Sequence, residues 1–197
     1  MITDDTAWLL VEACRLLNQP MRRMTICELG NQHAGWKLHG PVKAILEWLG
    51  AKHISFDLNG LDGALKYDLS KPLPGSHLGD FDLVTNAGTT EHVCTTNDFR
   101  DQWQVFQTIH DLAKPRAAIM HVIPDEQGFH CCCGYAYTHQ FLPALARVCR
   151  YGLVQFYDSR SDPHHMAALL LKDDDSRFPD FDEFHALGGI LQADEKI

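Results

Sequence analysis

No uninterrupted apolar run in the chain approaches the ~20 residues that a membrane-spanning helix requires, so no segment is expected to cross a bilayer. Basic residues are scarce: 17 Lys and Arg face 26 Asp and Glu, a formal charge of −9. That balance argues against a broad nucleic-acid-binding face, and no basic, aromatic-laced extension supplies one locally. Paired C-x-x-C knuckles are missing, which removes the usual signature of a structural zinc site. The seven cysteines are odd in number and three are adjacent, Cys131, Cys132 and Cys133, unlike a secreted disulfide framework. Reduced thiols and no bound metal are expected. Phosphate-cradling loops are missing too, since neither G-x-G-x-x-G nor G-x-x-x-x-G-K-[ST] occurs. Met1-Ile-Thr-Asp-Asp5 is acidic where a secretory signal would be basic, so the cytoplasm is the expected compartment.

Nor does a repeat, a low-complexity tract or a Gly/Ser linker divide the chain. At 197 residues, 45% hydrophobic and 22% charged, it is long enough for one well-buried core and short for two. A single domain over 1–197 is expected, with an N-terminal helix in 1–23, a core in 24–173 and an extension in 174–197. Apolar periodicity predicts a helix over 4–18, with Asp4 and Asp5 in its first turn, and a buried strand over 24–29. Residues 41–49 read as a helix with Pro41 at its start and Gly50 as its stop. Short strands follow at 53–57, 65–68 and 81–85. A helix over 97–113 ends at Lys114-Pro115, and an apolar strand over 117–123 is stopped by Pro124. A helix over 141–148 precedes two last strands at 154–157 and 166–172. Alternation of strand and helix implies a mostly parallel sheet covered on both faces, and the closing pair adds an antiparallel hairpin strand.

Two strand ends carry the most information. Ile26-Cys-Glu-Leu-Gly-Asn31 and Phe81-Asp-Leu-Val-Thr-Asn-Ala-Gly-Thr-Thr-Glu-His-Val93 both turn abruptly from apolar to small, polar and acidic residues. Buried parallel strands deliver ligand-binding loops at their carboxyl ends in this way. With the acidic end of Ser55-Phe-Asp57 between them, they outline a nucleotide-type crevice.

From about Met24 to Asp173 these motifs resemble the class I S-adenosylmethionine-dependent methyltransferases. The likeness rests on Glu28-Leu-Gly30 after the first strand, Asp57 ending the second, Asp68-Leu69 after the third and the fourth strand Phe81 to Asn86. Glu91-His92-Val93 then opens a helix, and Leu112-Ala-Lys-Pro115 precedes the fifth strand without the family's usual glycines. The resemblance implies an α/β fold: a single Rossmann-like, doubly wound, mostly parallel seven-stranded sheet with helices on both faces and a C-terminal antiparallel hairpin strand. It implies S-adenosylmethionine as cofactor and methyl transfer to oxygen or nitrogen of a small-molecule acceptor by in-line displacement. It also implies that Glu28, Gly30, Asn31 and Gln32 approach the methionine part, Asp57 the ribose hydroxyls, Leu58 the adenine and Asp68 its exocyclic amine. Asn86, Ala87 and Gly88 would line the methyl-donor end. One departure is plain: Asn31-Gln32-His33-Ala34-Gly35 places Gln32 and Ala34 where the family pattern has glycine. The missing phosphate loop favours this phosphate-free donor over NAD or ATP. The rival readings are a non-catalytic nucleoside- or partner-binding domain and an NAD-dependent oxidoreductase.

A hydroxyl acceptor requires a base, and histidine, present 12 times, is the side chain suited to that task near neutral pH. His130 follows the fifth strand in the loop from Gln127 to Tyr135 and is the first candidate; His92, beside Glu91, is the second. Glu91 equally suits the first turn of a helix capped by Thr89 or Thr90. Glu28 and Asp57 could also serve as capping acids, and Asp68 as a turn residue. His110 and His121 fall inside apolar patterns and read as core. Three consecutive cysteines point different ways and do not suit a tetrahedral ion. Phe178, Phe181, Phe184, Leu187 and Leu191 suggest that the extension docks on the domain or on a second copy, giving a homo-oligomer.

Overall fold

The apolar runs of the sequence become the middle of a seven-stranded sheet. A computed structural model describes residues 4–35, 40–95, 98–128, 134–160 and 163–192. The strands are β1 (Thr25–Leu29), β2 (Lys52–Asp57), β3 (Leu65–Lys66), β4 (Phe81–Ala87), β5 (Ala113–Pro124), β6 (Gly152–Asp158) and β7 (His165–Leu171). Their order is β3-β2-β1-β4-β5-β7-β6. Pairing is parallel from β3 through β5. Strand β7 runs antiparallel to both β5 and β6, which gives the expected antiparallel hairpin strand, set between its two neighbours. Burial explains the composition. The five residues Met166 to Leu170 of β7 are all buried, whereas edge strand β6 is exposed over Gly152, Leu153 and Val154.

Among the described residues five α-helices cover the sheet: α1 (Asp4–Leu16), α2 (Val42–Trp48), α3 (Phe99–Leu112), α4 (Phe141–Cys149) and α5 (Phe181–His185). Alternate strand residues point to opposite faces. Ile26, Leu83 and Met120 join Leu9, Leu10 and Ala13 of α1 and Val42 and Leu46 of α2. Cys27, Val84 and Ile119 join Phe106 and Ile109 of α3 and Phe141 and Leu145 of α4 on the other face. Side chains of Asp98 and Asp180 accept the N–H groups of Arg100 and Glu183 and cap α3 and α5. Among the described residues no helix is long and apolar enough to cross a membrane.

Two local differences from the sequence reading have physical causes, and one alternative it left open is seen. Lys114 and Pro115 do end α3, but they already belong to β5, which begins at Ala113. The helix expected at Glu91 is a single 3-10 turn, Thr90–His92, because the Thr89 hydroxyl donates to Leu29 O at 2.7 Å and makes no cap. The extension docks on its own chain: Ile190–Gln192 pairs antiparallel with Tyr135–Tyr137, and Trp103 Nε1 donates to Pro179 O at 3.1 Å.

Phe106 joins these parts. Its ring lies 5.1 Å from that of Phe141, 5.5 Å from His121 and 5.9 Å from both Tyr137 and Phe184. Phe106→Ala is expected to lower unfolding stability by about 3–5 kcal/mol in urea titrations. A loss below about 1 kcal/mol would show that this cluster does not hold α3, α4 and α5 together.

Candidate functional site

Strand order reverses at β1, which has β2 on one side and β4 on the other. Ligands of doubly wound sheets sit outside the carboxyl ends at such a switch point. A crevice of about 170 Å³ opens there. Gly30 and Gln32 reach it from β1, Phe56, Asp57 and Leu58 from β2, and Tyr67, Asp68 and Leu69 from β3. Gly88, Thr89, His92, Val93 and Thr95 reach it from β4.

Of the residues singled out from the sequence, Gly30, Gln32, Asp57, Leu58, Asp68, Gly88 and His92 line this crevice, and Glu28, Asn31, Asn86, Ala87 and Glu91 do not. Glu28 is buried beneath it, with Oε2 3.4 Å from Nε2 of the fully buried His53. Burial raises the Glu28 carboxyl, and His53 and the Gln32 N–H partly offset the rise. Asn31 contributes its backbone, whose N–H donates to Asp57 Oδ2 at 2.7 Å, while its side chain donates to Asp62. Asn86 is fully buried in a neutral network. Its Nδ2 bonds Thr90 Oγ1 at 3.0 Å and His121 Nδ1 at 3.1 Å, and its Oδ1 accepts the Thr90 N–H. Burial lowers His121 to about 3, so it is neutral and belongs to the core. His110, lowered by burial to about 4, bonds Tyr151 Oη at 2.7 Å and also belongs to the interior. His130 and Cys131 to Cys133 lie outside the described residues. Among the described residues no group of three or more His, Cys, Asp or Glu could hold a metal ion.

Asp57 is held rigidly. Its Oδ1 accepts the Asn59 N–H and its Oδ2 the Asn31 N–H, both at 2.7 Å, which leaves further lone pairs for a ligand. Asp68 Oδ1 takes the Ser70 N–H and hydroxyl. No Lys or Arg stands among the described lining residues, which include the carboxylates of Asp57 and Asp68. Phe56, Tyr67, Leu69, Thr89, Val93 and Thr95 were not called as site residues from the sequence; Leu69 stood only in the Asp68-Leu69 motif and Thr89 only as a candidate helix cap.

Gly30 has a φ of +83°, and a Cβ there would stand 2.5 Å from Thr89 Oγ1 and 2.8 Å from Gln32 Nε2. Glycine is therefore required by both backbone and space. Gln32 Nε2 donates to Thr89 Oγ1 at 3.2 Å, a bridge across the crevice between the loops that follow β1 and β4.

Glu91 lies behind the wall. A Cβ on Gly88 would sit 3.4 Å from its Oε1, His92 Nε2 is 3.8 Å from the same oxygen, and its Oε2 is buried with no partner among the described residues. Burial raises this carboxyl from an ordinary 4.5 to about 7. Between those values the unfolded chain is ionised and the folded one protonated, so rising pH favours unfolding. Wild-type protein is therefore expected to lose stability relative to Glu91→Gln as pH rises from about 4.5 to about 7, in paired denaturant titrations. A difference between the two proteins that stays flat across that window would place the Glu91 carboxyl in water.

No protein-family model matches the sequence, and no curated protein matches it. Solved structures do. A 1,6-didemethyltoxoflavin-N1-methyltransferase of Burkholderia thailandensis, solved with 1,6-didemethyltoxoflavin and S-adenosylhomocysteine bound, superposes with a TM-score of 0.63 at 15% identity, over 87% of this chain and 79% of that one. A SAM-dependent methyltransferase from Archaeoglobus fulgidus gives 0.58 at 12% identity over 84% and 94%. A TehB-like SAM-dependent methyltransferase from Corynebacterium glutamicum gives 0.54 at 18% identity over 85% and 95%. Strand order and these superpositions together establish that the chain has the fold of the class I S-adenosylmethionine-dependent methyltransferases.

Proposed function

We propose that this chain, acting as one cytoplasmic domain over 1–197, transfers a methyl group from S-adenosylmethionine to oxygen or nitrogen of a small-molecule acceptor. The observation that carries the reading is the crevice at the β1/β4 switch point, with Asp57 fixed in its wall and no cationic side chain among its described lining residues. Such a wall suits a cationic, phosphate-free nucleoside and disfavours the pyrophosphate of NAD. Support for a small acceptor comes from the charge of −9 and from the Burkholderia structural relative, which was solved with a small molecule bound.

When bound, the donor supplies a methyl group activated by its sulfonium. Asp57 would accept the ribose hydroxyls through its remaining lone pairs, and Leu58 and Phe56 would cover the adenine, with Asp68 near its amine. Gly30 bares backbone for the amino-acid end, and Gly88 and Thr89 face the methyl-donor end. Asn86 and Ala87 support that end from beneath. Glu28 acts indirectly, by holding the Gln32 N–H. His92, on the crevice wall, would take a proton from the acceptor with Glu91 behind it, and His130, after β5 in the sequence, stays a candidate. Holding acceptor and donor in line supplies much of the acceleration.

The Gln32–Thr89 bridge favours one other reading, a domain that binds a nucleoside without turnover. Calorimetric titration separates the possibilities. Wild-type protein is expected to bind S-adenosylmethionine and S-adenosylhomocysteine and to ignore NAD. Asp57→Ala is expected to weaken both roughly tenfold to a hundredfold, the range for hydrogen bonds to a charged group. Binding of NAD alone would overturn the proposal, and donor binding without methyl transfer across an acceptor screen would favour the non-catalytic reading.

A further inference from the structure

We infer that His53 is a positioning residue for the crevice: from beneath the wall it holds the Glu28 carboxylate and, through that carboxylate, the main chain of the loop after β1. Its effect on a ligand rests on the proposed use of the crevice for S-adenosylmethionine.

Strand register brings the two side chains together. Ile26 of β1 pairs with His53 of β2, and Glu28 pairs with Ser55. Alternation puts Glu28 and His53 on one face of the sheet, the face that carries Ile26 and is covered by α1 and α2. His53 stands one pair before Glu28, on the diagonal, with its Nε2 3.4 Å from Oε2. The imidazole is fully buried and the carboxyl side chain is 3% exposed. Neither residue is among the described lining residues of the crevice.

A carboxylate so placed is costly by itself. Without a donor or a positive charge against it, burial drives it to the neutral acid. His53 opposes that effect at Glu28 more than the Gln32 N–H does. The charge matters to the loop, because an ionised carboxyl accepts the Gln32 N–H in a charge-assisted bond, about twice as strong as a neutral one. His53 therefore acts at two removes. It keeps the charge on Glu28, and the charge keeps the Gln32 main chain in place in the crevice wall.

The other polar neighbours have different roles. Lys43 of α2 donates to the His53 carbonyl at 3.1 Å and to Glu47 Oε1 at 2.7 Å, which ties α2 to β2. Cys27, next to Glu28 on β1, belongs to the opposite face, and burial together with the Glu28 charge pushes its thiol up, so it stays neutral. Ser55, beside Glu28 in the ladder, is buried and carries no charge.

Two measurements test the role, one of them without a ligand. In the free protein, hydrogen exchange at the Gln32 amide, read by NMR, is expected to accelerate roughly tenfold to a hundredfold in His53→Leu and in Glu28→Gln, and no further in the double variant. His53→Gln, which keeps an N–H donor, is expected to recover most of the protection. In calorimetric titration, His53→Leu is expected to weaken S-adenosylhomocysteine roughly tenfold in the wild-type background and by less than about twofold in the Glu28→Gln background. Exchange at the buried residues Val84 and Ile119 reports whether each variant is folded. His53 has no such role if Gln32 exchange in His53→Leu stays within about twofold of wild type, if the two substitutions act independently, or if His53→Gln does no better than His53→Leu. Loss of protection at Val84 and Ile119 along with Gln32 would equally overturn it, since His53 would then serve the whole core. Failure of wild-type protein to bind S-adenosylhomocysteine would remove the proposed function instead, and Gln32 exchange would still decide the role of His53.

Discussion

Pairing of β1 on both sides is the constraint on which the rest of the structure depends. Ladders to β2 and β4 satisfy its backbone and place Leu29 between Phe56 and Asn86. A strand enclosed in this way has no solvent face, so both its faces must be covered by apolar side chains. That requirement sends α1 and α2 to one side and α3 and α4 to the other. Parallel direction then delivers three chain ends to one edge, where Gly30, Asp57 and Gly88 meet. The position of the crevice follows from how the core is buried.

Polar groups beneath that edge divide into two kinds. Asn86, Thr90, Gln102, Tyr137 and His121 form a neutral network: Tyr137 Oη donates to Gln102 Oε1 at 2.7 Å, and Gln102 Nε2 donates to Thr90 O and Val93 O at 2.8 and 3.0 Å. Neutral partners satisfy one another without the desolvation penalty of a buried ion. This network fixes the short turn that carries Glu91 and His92. Glu91 is the exception, a carboxyl buried to 2% exposure with one oxygen unpartnered among the described residues.

Strands β1, β4 and β5 were legible in the sequence because doubly buried strands read as continuous apolar runs, and the polar residues just beyond them marked the crevice edge. What depended on distant partners was not legible. Thr89 and Thr90 look like helix caps locally, but Thr89 bonds Leu29 and Thr90 bonds Asn86 and Tyr137, so tertiary partners outcompeted capping. Gln32 was recognisable as a departure from glycine, yet its meaning required a residue 57 positions away. The aromatic tail announced that it would dock, but its strand partner, Tyr135–Tyr137, follows from no local pattern.

The order in which the sheet is laid down has a consequence for synthesis. Strands β1 to β5 are contiguous in the sheet and complete by Pro124, so this half can collapse while translation continues. Strand β7 must slot between β5 and β6, and Phe184 must fill the cluster around Phe106. The edge of β5 therefore stays unpaired until β7 has left the ribosome, and the cluster around Phe106 on α3 stays incomplete until Phe184 follows, some sixty residues after Pro124. During that interval the nascent chain presents an open parallel strand edge beside a hydrophobic helix face, the kind of surface that chaperones bind.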